Sequence, residues 1–223
     1  MTTIAQRSQV ILTQIADAAR GAEKLPSAVT LVAVSKMHPS TMVREAYVAG
    51  LRDFGENYVQ EALEKQIALA DLPIVWHFIG PIQSNKTKPI AENFAWVHGV
   101  DRLKIAQRLA DARLENFPPL NVCLQVNISG ESSKSGCAPE EVASLAKTVG
   151  GLPRLELRGL MAIPEPTTDV TLQHQQFRML HDLMGALNAD ELTLDTLSMG
   201  MSHDFSTAIM EGATMVRIGT AIF

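Results

Sequence analysis

Lys36 closes the apolar run LVAVS (31–35), at the C-terminal end of the first strand that the sequence suggests. In barrels of alternating strands and helices, that end carries the working residues. Far along the chain stand S-M-G-M-S (198–202) and V-R-I-G-T (216–220), around the ends of the seventh and eighth strand candidates. Gly200, Ser202, Gly219 and Thr220 suit a phosphate. Glycines let backbone N–H groups approach, hydroxyls donate, and a helix opening near His203 adds a favourable dipole. Alone, Lys36 reads as a solvated lysine and each glycine pair as a tight turn. On one barrel mouth they pair an amine with a phosphate cup, as pyridoxal 5′-phosphate (PLP) requires.

Other reactive-looking residues weigh less. G-P-I-Q-S-N-K-T (80–87) imitates the phosphate loop GxxxxGK[ST], but Asn85 replaces its second glycine and no apolar run ending in Asp offers a Mg²⁺ partner. Gln83, Asn85 and Lys86 are expected to rim the pocket instead. His38, His77, His98, His174, His181 and His203 form no HxxxH or HxxE pair, so no metal is expected. His77, on an apolar strand, reads as a hydrogen-bonded core residue. Cys123 and Cys137 make no CxxC, which suits a reducing compartment, with Cys123 in the core and Cys137 exposed before a helix. Met199, Met201, Met210 and Met215 read as packing.

The elements that must position these groups alternate. An amphipathic helix with Ile4, Ile11, Ile15 and Ala18 on one face ends near Gly21. Strand candidates follow at 30–34, 53–55, 74–79, 95–100, 121–127, 155–163, 196–199 and 214–218. Helices are expected between them, with Asn57 and Asp101 as N-caps of two. The helix after Asn57 is expected to bury Val59, Ala62, Leu63 and Ile67; the one after Pro139, Val142, Leu145, Ala146 and Val149. Eight strands alternating with helices close into a barrel, and no GxGxxG follows the first strand to suggest an open dinucleotide-binding sheet. The fold expected is a single (β/α)₈ TIM-type barrel domain over residues 1–223, with an extra N-terminal helix.

The 223 residues are 46% hydrophobic, an ordinary globular content. Lys and Arg number 19 against 24 Asp and Glu, a net charge of −5, so no basic footprint for nucleic acid exists. No signal peptide or membrane-length apolar stretch is seen, and a cytoplasmic protein is expected.

The blocks AVSK (33–36), FGENYVQE (54–61), WHFIGPIQSNK (76–86), SKSG (133–136), RGLMAI (158–163), LSMGMSHD (197–204) and MVRIGTAIF (215–223) resemble the YggS/PROSC family of PLP homeostasis proteins. The likeness covers nearly the whole chain. It implies the barrel of the alanine racemase N-terminal domain, PLP held as a Schiff base on Lys36, and a role in buffering PLP and handing it on. By the same resemblance Ser202, Gly219 and Thr220 contact the phosphate, Arg217 faces the pyridine nitrogen, Asn57 touches the ring pocket, and Lys134 assists release. His38 stands where many members carry a lysine, and the chain stops at Phe223 where relatives continue through a glycine and a short tail. The expected partners are PLP and the apo-enzymes that receive it, with no nucleic acid, no membrane and a monomeric state.

A PLP-dependent amino-acid racemase is the main alternative. It needs a base on each face of the substrate Cα. Only Tyr47 and Tyr58 are available, and both are expected to face the barrel wall. An arginine at the pyridine nitrogen also disfavours its protonation and weakens the electron sink. A phosphate-sugar barrel enzyme would need acidic strand-end residues, for which only Glu56 and Glu165 loosely qualify. A non-catalytic PLP carrier is therefore the expected function.

Overall fold

Short β-branched and apolar runs form the strands, and stripes with helical period form the layer around them. The computed structural model describes residues 2–129 and 135–223; Lys134 lies outside the described residues. The strands are β1 (Thr30–Val34), β2 (Asp53–Glu56), β3 (Val75–Phe78), β4 (Trp96–Val100), β5 (Leu120–Gln125), β6 (Leu155–Met161), β7 (Thr196–Ser198) and β8 (Met215–Ile218). Each pairs in parallel with the next, and β8 pairs with β1, so the sheet closes into a barrel. The helices are α1 (Ile4–Gly21), α2 (Ser40–Val48), α3 (Val59–Ala68), α4 (Thr87–Asn93), α5 (Leu103–Ala112), α6 (Val142–Gly150), α7 (Val170–Ala189) and α8 (Phe205–Met210). The (β/α)₈ barrel is the fold. None of these helices is long and apolar enough to cross a membrane.

The N-terminal helix has a definite job. Thr3 and Gln6 form a capping box at its start, with Thr3 N–H donating to Gln6 Oε1 at 2.9 Å. Ile4, Ile11, Ile15 and Ala19 are buried on one face, and α1 packs against α2 and α8. It thus fills the place in the outer ring that a helix after β8 would occupy. Ala19, rather than Ala18, completes the stripe.

Inside the barrel, Val32, Trp96, Cys123, Met161 and Met215, from five strands, pack together. Outside, Phe177, Leu180 and Leu187 seat α7 on the sheet. Each buried apolar side chain of this size contributes about 1.5–3 kcal/mol.

Several local expectations are corrected. Asn57 is not an N-cap: α3 begins at Val59 after an uncapped Tyr58. On α3 Ala62 is buried, but Val59 and Leu63 are half-buried, Ile67 is 79% exposed and Lys65 is buried in the place expected of an apolar residue. Asp101 is not an N-cap either; Arg102 holds that position, and the Asp101 carboxylate pairs with its guanidinium at 2.6 Å. Cys137 is buried, its thiol donating to the Gln125 carbonyl. Cys123 is fully buried, and desolvation pushes its thiol up to about 12.

Candidate functional site

Lys36 follows β1 in a turn closed by the His38 N–H donating to the Ser35 carbonyl at 3.1 Å. Met37 in that turn has φ +65°, a left-handed conformation that costs a residue with a Cβ about 1–2 kcal/mol. Two charged side chains of α3 hold it. Glu61 Oε1 accepts from Met37 N–H at 2.6 Å, and Lys65 Nζ donates to the Ser35 carbonyl at 2.6 Å. Lys65 also donates to Glu56 Oε1 at 2.7 Å and Glu61 Oε1 at 2.6 Å, while Ser35 Oγ donates to Glu56 Oε1 at 2.6 Å. The turn is therefore fixed on both sides of Lys36, which is itself exposed.

On the neighbouring rim, after β7, Gly200 has φ +92°, and a Cβ there would lie 2.7 Å from the Ala208 Cβ. Only glycine suits this position. Its carbonyl accepts from Arg217 N–H at 3.0 Å, which ties the β7 loop to β8. After β8, Gly219 lies so close to β1 that a Cβ would sit 3.0 Å from the Val34 carbonyl oxygen. That close approach brings the Gly219–Thr220 turn beside the strand that leads to Lys36. Ser202 Oγ and Thr220 Oγ1 are 3.4 Å apart across the two turns. The helix after Ser202 starts at Phe205, and Asp204 is its N-cap residue, its carboxylate accepting the Met201 N–H at 2.6 Å. That carboxylate caps none of the helix's own N–H groups.

Lys36, Asn57, Ser202, Arg217, Gly219 and Thr220 all line one cavity of about 300 Å³ at the mouth, with Val34, His38, Ile79, Ile163, Met201 and His203. That volume lies at the lower end of the range for small-ligand pockets. Asn57 lines both this cavity and the neighbouring groove, and its Oδ1 is buried without a hydrogen-bond partner. Gly80 packs closely on the Asn57 backbone, where a Cβ would fall 2.6 Å from the Asn57 carbonyl oxygen. Arg217, 4% exposed, donates to Ser198 Oγ at 2.7 Å and to the Ala162 carbonyl at 2.9 Å. Burial pulls its pKa down to about 10, so it remains charged at neutral pH.

Other residues fall differently. Gln83 and Lys86 line a neighbouring groove with Asn57, Tyr58 and Gln60, and Asn85 lines neither space. Tyr58 is 57% exposed on that groove instead of facing the barrel wall, and Tyr47 lies under the Arg52 guanidinium. Neither tyrosine lines the mouth cavity. Glu56 has no exposed surface and is taken up by Ser35 and Lys65. His38, half-buried, stacks on Phe223 at 4.9 Å, and burial then the Lys65 charge lower its pKa, against the pull of Glu61. The apolar lining, Val34, Ile79 and Ile163, escaped the sequence reading, although all three are apolar residues at or just beyond the ends of their strands.

A family model described as the alanine racemase N-terminal domain matches residues 12–223. A pyridoxal phosphate homeostasis protein of Pseudomonas aeruginosa is 63% identical over 223 residues, covering 100% of this chain and 96% of the relative. The chain belongs to the pyridoxal phosphate homeostasis protein family. The family member of Escherichia coli is 48% identical, with 100% of this chain and 97% of the relative covered. The structure of this family member is also similar to PipY of Synechococcus elongatus with PLP bound, with TM-score 0.82 and 40% identity over 94% of this chain and 99% of that one. Alanine racemase of Corynebacterium glutamicum shares the fold at TM-score 0.68 and 17% identity, covering 95% of this chain and 61% of the enzyme.

Proposed function

We propose that residues 1–223 form one PLP-binding domain that works as a monomeric cytoplasmic carrier, buffering PLP and passing it to apo-enzymes. The observation that carries this reading is the gathering of Lys36, Asn57, Arg217, Ser202, Gly219 and Thr220 on one cavity. PLP supplies an aldehyde that condenses with an amine and a ring that withdraws electrons. Lys36 contributes the amine, held as a Schiff base. Ser202 and Thr220 donate hydroxyls to the phosphate, and Gly219 leaves room for it. Asn57 accepts or donates beside the ring. Arg217 faces the ring nitrogen, and because a guanidinium only donates, that nitrogen is held as an acceptor. The PLP-bound relative supports the choice of ligand.

The racemase reading finds no tyrosine as its second acid–base group, since neither Tyr47 nor Tyr58 lines the cavity. The carrier reading needs only reversible capture. Purified protein mixed with PLP should turn yellow, and borohydride should attach the cofactor to the peptide containing Lys36. Lys36→Ala should lose that absorbance and keep its fold, because the exposed side chain adds little packing. Attachment only at Lys134 or Lys86 would refute the assignment. Mixed with an apo PLP enzyme, the loaded protein should restore its activity.

A further inference from the structure

A file of polar side chains crosses the inside of the barrel. Arg217 Nη1 donates to Ser198 Oγ at 2.7 Å, and Ser198 Oγ lies 2.7 Å from His98 Nδ1. His98 Nε2 is 3.0 Å from His77 Nδ1, and His77 Nε2 is 3.0 Å from Asp53 Oδ1. The five residues come from β8, β7, β4, β3 and β2. His77, His98 and Ser198 have no exposed surface, while the Asp53 side chain, at the N-terminal end of β2, is 25% exposed.

Barrel interiors are ordinarily filled by branched apolar side chains, and polar ones are costly there unless every group is bonded. Here both nitrogens of both imidazoles are bonded. The Asp53 end dictates the direction of every bond. A carboxylate only accepts, so His77 donates to it from Nε2, and the neutral ring accepts at Nδ1 from His98 Nε2. His98 then accepts at Nδ1 from Ser198 Oγ. A guanidinium only donates, so Ser198 Oγ accepts from Arg217 and gives its one proton to His98, in agreement with the assignment from Asp53. The reverse arrangement would set a bare His77 Nε2 against the carboxylate. Desolvation, reinforced for His98 by His77 and Arg217, lowers the pKa of both imidazoles and keeps them uncharged.

We propose that Asp53, His77, His98 and Ser198 are positioning residues, an ordered hydrogen-bond chain anchored on Asp53 that fixes the Arg217 guanidinium beneath the ligand's ring nitrogen. The proposal rests on PLP binding at the mouth as proposed above. Because the Ala162 carbonyl also holds Arg217, losing the chain leaves the guanidinium in the site with one fewer restraint on its orientation.

Nitrogen NMR of the unliganded protein with labelled histidine should show His77 and His98 both protonated on Nε2 at neutral pH. A proton on Nδ1, or a charged ring, would overturn the chain. In PLP titrations Ser198→Ala and His98→Leu should weaken binding about tenfold, the scale of one hydrogen bond to a charged group, and shift the visible absorption of the bound cofactor. Pyridoxal should lose the same factor, because the effect acts on the ring. Ser198→Thr should recover most of the loss. Asp53→Ala should shift the spectrum the same way, and Asp53→Asn should recover it, since the amide oxygen still accepts from His77. If the parent binds PLP and Ser198→Ala keeps its affinity and spectrum, the positioning role is wrong while the site stands. If the parent binds no PLP, the site reading and the positioning role both fall.

Discussion

Lys65, on α3, donates from its ammonium to the carbonyl of Ser35 at 2.6 Å, one residue before Lys36. An ammonium that is almost entirely buried therefore fixes the backbone that presents the exposed lysine. Its counterion Glu56 has no exposed surface, and burial pushes that carboxyl up against the pull of Lys65 and Ser35. Removing one member of a buried pair strands the other and costs about 3–5 kcal/mol. Lys65→Met should lose that much stability in urea denaturation, and adding Glu56→Gln should recover a good part. A single variant within about 1 kcal/mol of the parent would show that the pair holds nothing in place.

Met37 carries the strain of the same turn. Met37→Gly should relieve the left-handed conformation, with a net gain of up to about 1 kcal/mol after the extra backbone entropy of glycine. The check is the unfolding midpoint with PLP absent. A loss of stability would mean that the exposed methionine side chain makes contacts worth more than the strain.

The phosphate reading separates two ligands. Ser202→Ala and Thr220→Ala should each weaken PLP roughly tenfold or more, as expected for a hydrogen bond to a charged group. Pyridoxal, which lacks the phosphate, should hardly change. Equal losses for both ligands, measured by absorbance titration, would mean that the hydroxyls shape the turns and do not grip phosphate.

His98 makes acid stability testable. Desolvation, reinforced by the neighbouring His77 and the Arg217 guanidinium, holds its pKa well below the ordinary 6.5, so the native protein refuses a proton that the unfolded chain accepts. Its stability contribution is complete above about pH 6.5 and falls as pH drops below that value, by up to about 1.4 kcal/mol per pH unit. His98→Gln can accept from Ser198 and donate to His77 without titrating. Its deficit relative to the parent should shrink between pH 7 and pH 5 in denaturant titrations. Parallel pH profiles would place the acid sensitivity elsewhere.

Much of this molecule was legible in the chain itself. Short apolar runs mark the eight strands, largely buried on both faces, and period-3.6 apolar stripes mark the helices, because burial is a local demand on residue type. Lys36, Gly200, Ser202, Gly219 and Thr220 declared themselves by their place at strand ends, and all five stand at the barrel mouth. Other features depend on contacts between residues far apart in sequence. Lys65 looks like any solvated helix lysine until β1 and β2 bring Ser35 and Glu56 to it, so Ile67 was the natural choice for the buried face. His77 and His98 have no motif spacing, since 21 residues and a strand-to-strand step separate them. Asn57 has the residue type of an N-cap, but α3 starts two residues later and Asn57 lines the cavity, its backbone closely packed against Gly80. Barrel closure decides these cases: it joins β8 to β1 and encloses a small interior, where each polar group needs a partner that only the assembled strands supply.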